Sequence, residues 1–81
     1  TYTYMHTYQG RDFPVLHADL YRADPVDRIV PELLDIISAQ THLILIEWPE
    51  CWQDGHLYMD GIFEFFCMAD EKRAIHYYPG N

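Results

Sequence analysis

The run Leu43-Ile44-Leu45-Ile46, entered through His42 and closed by Glu47-Trp48, constrains the fold of this chain more than any other segment. It does not alternate apolar with polar residues, so it does not describe a strand with one wet face. Short strands that are apolar throughout belong to sheets covered on both faces, and such sheets are mostly parallel. The expectation is a central strand with a parallel neighbour. A parallel neighbour requires a crossover connection, usually helical.

The crossover is legible just upstream. From Val26, apolar residues recur at Ile29, Val30, Leu33, Leu34, Ile36 and Ile37, which is helical spacing. Asp24 suits an N-cap and Pro25 a first helical position. Pro31 lies inside the pattern and splits it, giving two short helices over about residues 25–30 and 31–39. Before them, residues 1–8 alternate Thr and Tyr with period two and read as a strand. Residues 9–12 carry a turn signal, with Gly10 available for positive φ. Residues 13–21 form a second strand, with Pro14 confined to its start or edge because proline has no amide hydrogen. Beyond the aliphatic run, residues 49–56 read as a loop. Residues 57–68, interrupted by Gly61, and residues 73–78 then read as a closing antiparallel hairpin around a turn at 69–72. The fold class is α/β: a mixed, partly parallel sheet of about five strands, a short helical crossover, and antiparallel hairpins at both ends.

Composition limits what such a unit can do. With 81 residues there is room for one small domain, and 49% hydrophobic with 16% aromatic residues argues for a packed core. Five Lys+Arg stand against 13 Asp+Glu, a formal net charge of −8. That balance argues against direct nucleic-acid binding, which needs basic groups to neutralise phosphates, and against anionic membranes. No apolar run approaches the ~20 residues of a membrane span. The opening Thr-Tyr-Thr-Tyr has neither the basic start nor the apolar stretch of a signal peptide. Two cysteines, Cys51 and Cys67, are too few for a disulfide scaffold and fit a reducing, cytoplasmic compartment at least as well as an oxidising one.

Two acids close the two apolar strands: Asp19 after Val15-Leu16-His17-Ala18, and Glu47 after Leu43-Ile44-Leu45-Ile46. In open α/β sheets, ligands bind outside the carboxyl ends of the strands. A carboxylate there can hold Mg²⁺ directly or through water, or orient an attacking water; it can also simply mark where a strand reaches solvent. His17 lies two residues before Asp19 and projects from the same face, either tuning the acid or serving as a hydrogen-bonded core residue. Arg22 can reach a phosphate or pair at the surface. Trp48 reads either as a wall of a pocket or as packing under the loop, and Trp52 as packing or an exposed interface. Cys51-x₄-His56 with Cys67 and His76 matches no compact zinc spacing.

Three segments carry a resemblance. Phe13-Pro14-Val15-Leu16-His17-Ala18-Asp19-Leu20-Tyr21-Arg22, followed by Ala23-Asp24-Pro25, resembles the His-x-Asp-Leu-Tyr-Arg…Asp-Pro signature of the TsaE family. Leu45-Ile46-Glu47-Trp48-Pro49-Glu50 resembles its strand ending in Glu-Trp-Pro, and Thr1-Tyr2-Thr3 the end of its Ser-Pro-Thr-Tyr/Phe-Thr switch. They stand in family order and cover residues 1 to about 50. The resemblance implies a partial P-loop NTPase-like fold and an ATPase with ATP and Mg²⁺ as cofactors. It implies a role with TsaD and TsaB in the threonylcarbamoyladenosine modification of tRNA. It places Thr1 and Thr3 near the γ-phosphate, Asp19 in a Walker-B-like role on Mg²⁺ or its water shell, and Glu47 on the attacking water or the metal. Trp48 falls beside the nucleotide.

One departure is large. No Gly-x-x-x-x-Gly-Lys-Ser/Thr occurs, and the sole lysine is Lys72. The amides and lysine that cradle phosphates are missing from these 81 residues. The expectation is that residues 1–81 form a single TsaE-like domain fragment, the C-terminal portion, inactive alone and completed by an N-terminal segment or a self-associating copy. The rival is an acidic protein-interaction module without nucleotide chemistry, acting through its aromatic residues.

Overall fold

A computed structural model describes residues 4–21 and 25–80. Strand β1 (Met5–Tyr8) runs antiparallel to β2 (Val15–Asp19), with Met5 opposite Ala18 and Tyr8 opposite Val15. The chain then makes a 3₁₀ turn (Val26–Arg28) and the helix α1 (Val30–Ala39) and returns as β3 (Leu43–Glu47), parallel to β2. Pro31 sits in the first turn of α1, where its missing N–H is no loss. It therefore sets the boundary between two helical pieces, as its position in the apolar periodicity implies. The first piece is shorter than expected, and Pro25 is its N-cap with extended backbone instead of its first helical residue. Asp24 lies outside the described residues. Helix α1 ends at Gln40, which takes the left-handed conformation and donates its N–H to the Ile37 carbonyl.

The core lies on one side of this sheet. Leu16, Ala18 and Leu20 point to it from β2 and the residue beyond, and Met5, Ile29, Leu33 and Trp52 complete the buried cluster. Ile44 and Ile46 of β3 pack on it as half-buried residues. Strand alternation sends the odd-numbered residues of β2 and β3 to the other face.

Two expectations need correction here. Strand β3 is not central: the sheet order is β1-β2-β3, and β3 is at its edge. Nor is it buried on both faces, since Leu43 and Leu45 are 47% and 51% exposed. No described element covers its outer side, so the both-sided apolar pattern is present without the layers that would use it. The five strands also do not form one sheet. Strands β4 (Gly61–Cys67) and β5 (Arg73–Pro79) form a separate antiparallel hairpin, with Phe63 opposite Tyr77 and Phe65 opposite Ile75. Gly61 opens β4 and does not interrupt it. The first turn also differs in detail, because no glycine has positive φ. Gly10 is required there for another reason: a Cβ would collide with the Phe13 carbonyl oxygen.

Candidate functional site at the carboxyl edge of the parallel strands

The β2–β3 register puts Asp19 directly opposite Glu47. Adjacent strands lie roughly 4.8 Å apart, so the two acids leave the sheet side by side at its carboxyl edge and on its open face. The register is fixed at both ends. The Leu43 amide donates to the Pro14 carbonyl at 3.0 Å, and the Leu20 amide to the Glu47 carbonyl at 3.1 Å. The Tyr21 amide donates to Asp19 Oδ1 at 3.1 Å, a local turn that holds this carboxylate over the strand end.

Glu47 is held differently. His17 Nε2 lies 2.9 Å from Glu47 Oε2. His17 therefore pairs with the acid of the neighbouring strand. It is not a core residue: its side chain is 33% exposed, against 59% for Glu47. This pairing was not legible in the sequence, because it depends on the cross-strand register. Given the register, His17 faces Leu45, and Glu47 is the next residue on the same face.

Trp48 turns the chain out of β3. Its φ of 59° and ψ of 52° are left-handed, a conformation that costs a bulky residue about 1–2 kcal/mol, and it caps the 3₁₀ turn Pro49–Cys51. Strain of this kind is retained where the surroundings fix a side chain's position. Its ring is half exposed and stands 5.1 Å from the Tyr21 ring, making a two-ring shelf beside the acids. Trp52, four residues on, is buried and stacks on Tyr58 at 5.4 Å, so it is a packing residue. Gly55 makes that packing possible, because a Cβ there would come within 2.8 Å of the Trp52 ring.

An open cleft of about 1660 Å³ runs along the outer side of β3 to the hairpin, lined among others by Leu43, Leu45, Glu47, Trp48, Phe63 and Tyr77. Asp19, one strand further in, does not line it. Thr1, Thr3 and Arg22 lie outside the described residues. No three His, Cys, Asp or Glu side chains among the described residues stand together as a metal site. Cys51 and Cys67 are free and exposed. No helix among the described residues is long and apolar enough to cross a membrane.

The donor chemistry fits one of the two expected cofactors. Carboxylate oxygens suit Mg²⁺, which in nucleotide sites takes one or two carboxylates and draws its other ligands from phosphate and water. A triphosphate is not met by these residues alone. The edge presents negative charge, and Lys72 lies in the turn of the closing hairpin, between the 3₁₀ turn Ala69–Glu71 and β5.

Comparison with known proteins gives one family. The model of threonylcarbamoyl adenosine biosynthesis protein TsaE matches residues 1–75. No curated protein and no solved structure gives a match. TsaE is a family of P-loop ATPases, which use nucleotide and Mg²⁺ and function in a complex with partner proteins. The match spans the hairpin, the crossover, both acid-ended strands and most of the closing hairpin. The chain belongs to the TsaE family, and with it to the biosynthesis of threonylcarbamoyladenosine in tRNA.

Proposed function

We propose that this chain supplies the metal-binding and water-activating half of a TsaE-type ATP site, and that a Walker-A-bearing segment completes it. The observation that carries the reading is the register of Asp19 with Glu47 at the carboxyl ends of adjacent parallel strands. Two further features support the completing segment. The 81 residues contain no phosphate-binding loop, and among the described residues no strand pairs with the outer edge of β3. The cleft beside that edge is also large: a small-molecule pocket is typically about 300–1,000 Å³, so about 1660 Å³ suits a polypeptide segment better than a nucleotide alone.

In the completed site Asp19 holds Mg²⁺, directly or through water. The ion's contribution is to neutralise charge on the phosphate oxygens. Glu47 keeps one carboxylate oxygen, Oε1, free of His17; this atom orients the attacking water and accepts its proton, or reaches the metal's water shell. Trp48 walls the nucleotide, and Thr1 and Thr3 belong to the switch at the γ-phosphate. Catalysis is mostly positioning and charge neutralisation. The chain alone does not hydrolyse ATP, and the completed protein works in the cytoplasm with TsaD- and TsaB-like partners, without touching tRNA itself.

The test is ATP–Mg²⁺ binding and single-turnover hydrolysis, for the chain alone and for the chain joined to a Walker-A segment. Completion should create both activities, with a Trp48 fluorescence change that Trp48→Phe removes. Glu47→Gln should lower the rate by about 10²–10⁴-fold at nearly unchanged affinity, and Asp19→Asn should weaken both. Wild-type rates in both variants, or turnover by the chain alone that Glu47→Gln abolishes, would sink the reading. The second reading is an acidic interaction module, favoured by the exposure of Phe63, Phe65, Ile75 and Tyr77 on one face of the hairpin. A completed protein that binds no nucleotide would favour it.

A further inference from the structure

We propose that His17 is the positioning residue of Glu47: its imidazole fixes which carboxylate oxygen faces the water and which does not. The inference rests on the proposed role of Glu47 and adds a residue that role does not name.

The geometry begins with unequal rigidity. His17 stands on β2, the middle strand, paired on one side with β1 and on the other with β3. Its backbone is held from both sides, and its ring has only two torsions. Glu47 ends the edge strand, carries three torsions, and is 59% exposed. A glutamate so placed samples several rotamers, and ordering it costs side-chain entropy. The bond from His17 Nε2 to Glu47 Oε2, at 2.9 Å, ties the mobile group to the rigid one. An ionised carboxylate only accepts, so Nε2 is the donor in the pair, whether the ring is neutral or charged.

Energy separates this role from a stabilising one. A partly exposed pair contributes little to folding. A catalytic group displaced by an ångström can cost about a hundredfold in rate. Loss of His17 should therefore move the rate far more than the melting temperature.

The experiment compares His17→Phe, His17→Gln and Glu47→Gln in the completed protein. Phe keeps a ring but donates nothing, whereas a glutamine amide nitrogen can donate from nearly the Nε2 position. His17→Phe should lower the saturating single-turnover rate about 10–100-fold, with nucleotide affinity within about twofold and an unchanged melt. His17→Gln should recover most of that rate. A slow Glu47→Gln beside a wild-type His17→Phe overturns the positioning role alone, as do Phe and Gln variants that are equally slow. A wild-type rate in Glu47→Gln overturns the underlying reading and the positioning role together. On the chain by itself, a long-range ¹H–¹⁵N spectrum should show the His17 Nε2 resonance shifting in Glu47→Gln. An unmoved resonance overturns the pairing.

Discussion

Replacing Leu33 by alanine tests which face of the three-stranded sheet is the core, and hence which face is left for chemistry. Leu33 is fully buried, on the side of α1 that meets Leu16, Ala18 and Leu20. Truncation removes the transfer free energy of the lost carbons and leaves a cavity that a thin core closes only in part, together about 2–5 kcal/mol. A domain of 81 residues has a total stability of about 4–12 kcal/mol at the usual 0.05–0.15 kcal/mol per residue. The loss is therefore about a sixth of the stability or more. At about 4–8 °C per kcal/mol, a central value of ~3 kcal/mol lowers the midpoint by roughly 12–24 °C. Leu45→Ala is the matched control: the same chemistry on β3, but on the open face, where the side chain is 51% exposed. No cavity forms there, and the cost should be below about 1 kcal/mol. Urea unfolding of both variants, followed by far-ultraviolet circular dichroism and by Trp52 fluorescence, measures the difference. Equal costs, or a larger one for Leu45→Ala, would refute the assignment of the faces and remove the site residues from solvent.

Two further outcomes follow from other parts of the chain. Gly55→Ala should destabilise by about 1–3 kcal/mol and change the near-ultraviolet dichroism, because the new Cβ lies 2.8 Å from Cε3 and 2.9 Å from Cδ2 of the buried Trp52; an unchanged midpoint would refute that packing. The Tyr78 hydroxyl donates to Glu64 Oε1 at 3.2 Å, and this bond, followed by the Glu64 charge, raises the phenol above its ordinary value of 10.0. Folding thus favours the protonated phenol, so the small stabilisation is present below the unfolded pKa and lost as pH rises through the folded one. Absorbance titration at high pH should find the Tyr78 phenol ionising above its ordinary value, and Glu64→Gln should lower its midpoint; an unmoved midpoint would refute the bond.

The local elements were legible because each is specified by its own residues. Pro31 marks the boundary of α1, the apolar period of 26–37 gives the helix its inward face, and Pro14 stands just ahead of β2. Asp19 and Glu47 were legible as strand ends for the same reason, since an acid closing an aliphatic run is a local signal. What connects distant parts was not legible. The His17–Glu47 bond joins residues 30 apart and depends on a register that no single strand encodes. The Tyr21–Trp48 shelf depends on the left-handed turn at Trp48, a conformation that residue type argues against. Splitting of the five strands into two sheets is likewise a matter of which edges meet, and alternation within a strand carries no information about that.

Strand β3 is where local and global signals part, and the difference bears on function. Its sequence is that of an interior strand, and its place is an edge, with Leu43 and Leu45 in solvent. Fully burying a leucine is worth about 1.5–3 kcal/mol, so leaving two of them half exposed forgoes a few kcal/mol that a neighbouring layer would return. A long apolar edge is also a template for further strand pairing, which proteins ordinarily blunt with charge or proline. Here the only charge on the strand is Glu47, at its last position, and it is already engaged by His17. The edge thus lacks the usual protection along the four residues that precede the site. A segment that pairs there and folds back as a layer on the open face would cover Leu43 and Leu45 and bring its own backbone to the carboxyl edge, next to Asp19 and Glu47. Under that proposal the cost of Leu45→Ala is conditional: below about 1 kcal/mol in the chain alone, and rising toward the 2–5 kcal/mol of a core truncation once the segment is bound. The same variant measured with and without the segment therefore reports whether β3 becomes the interior strand its sequence describes.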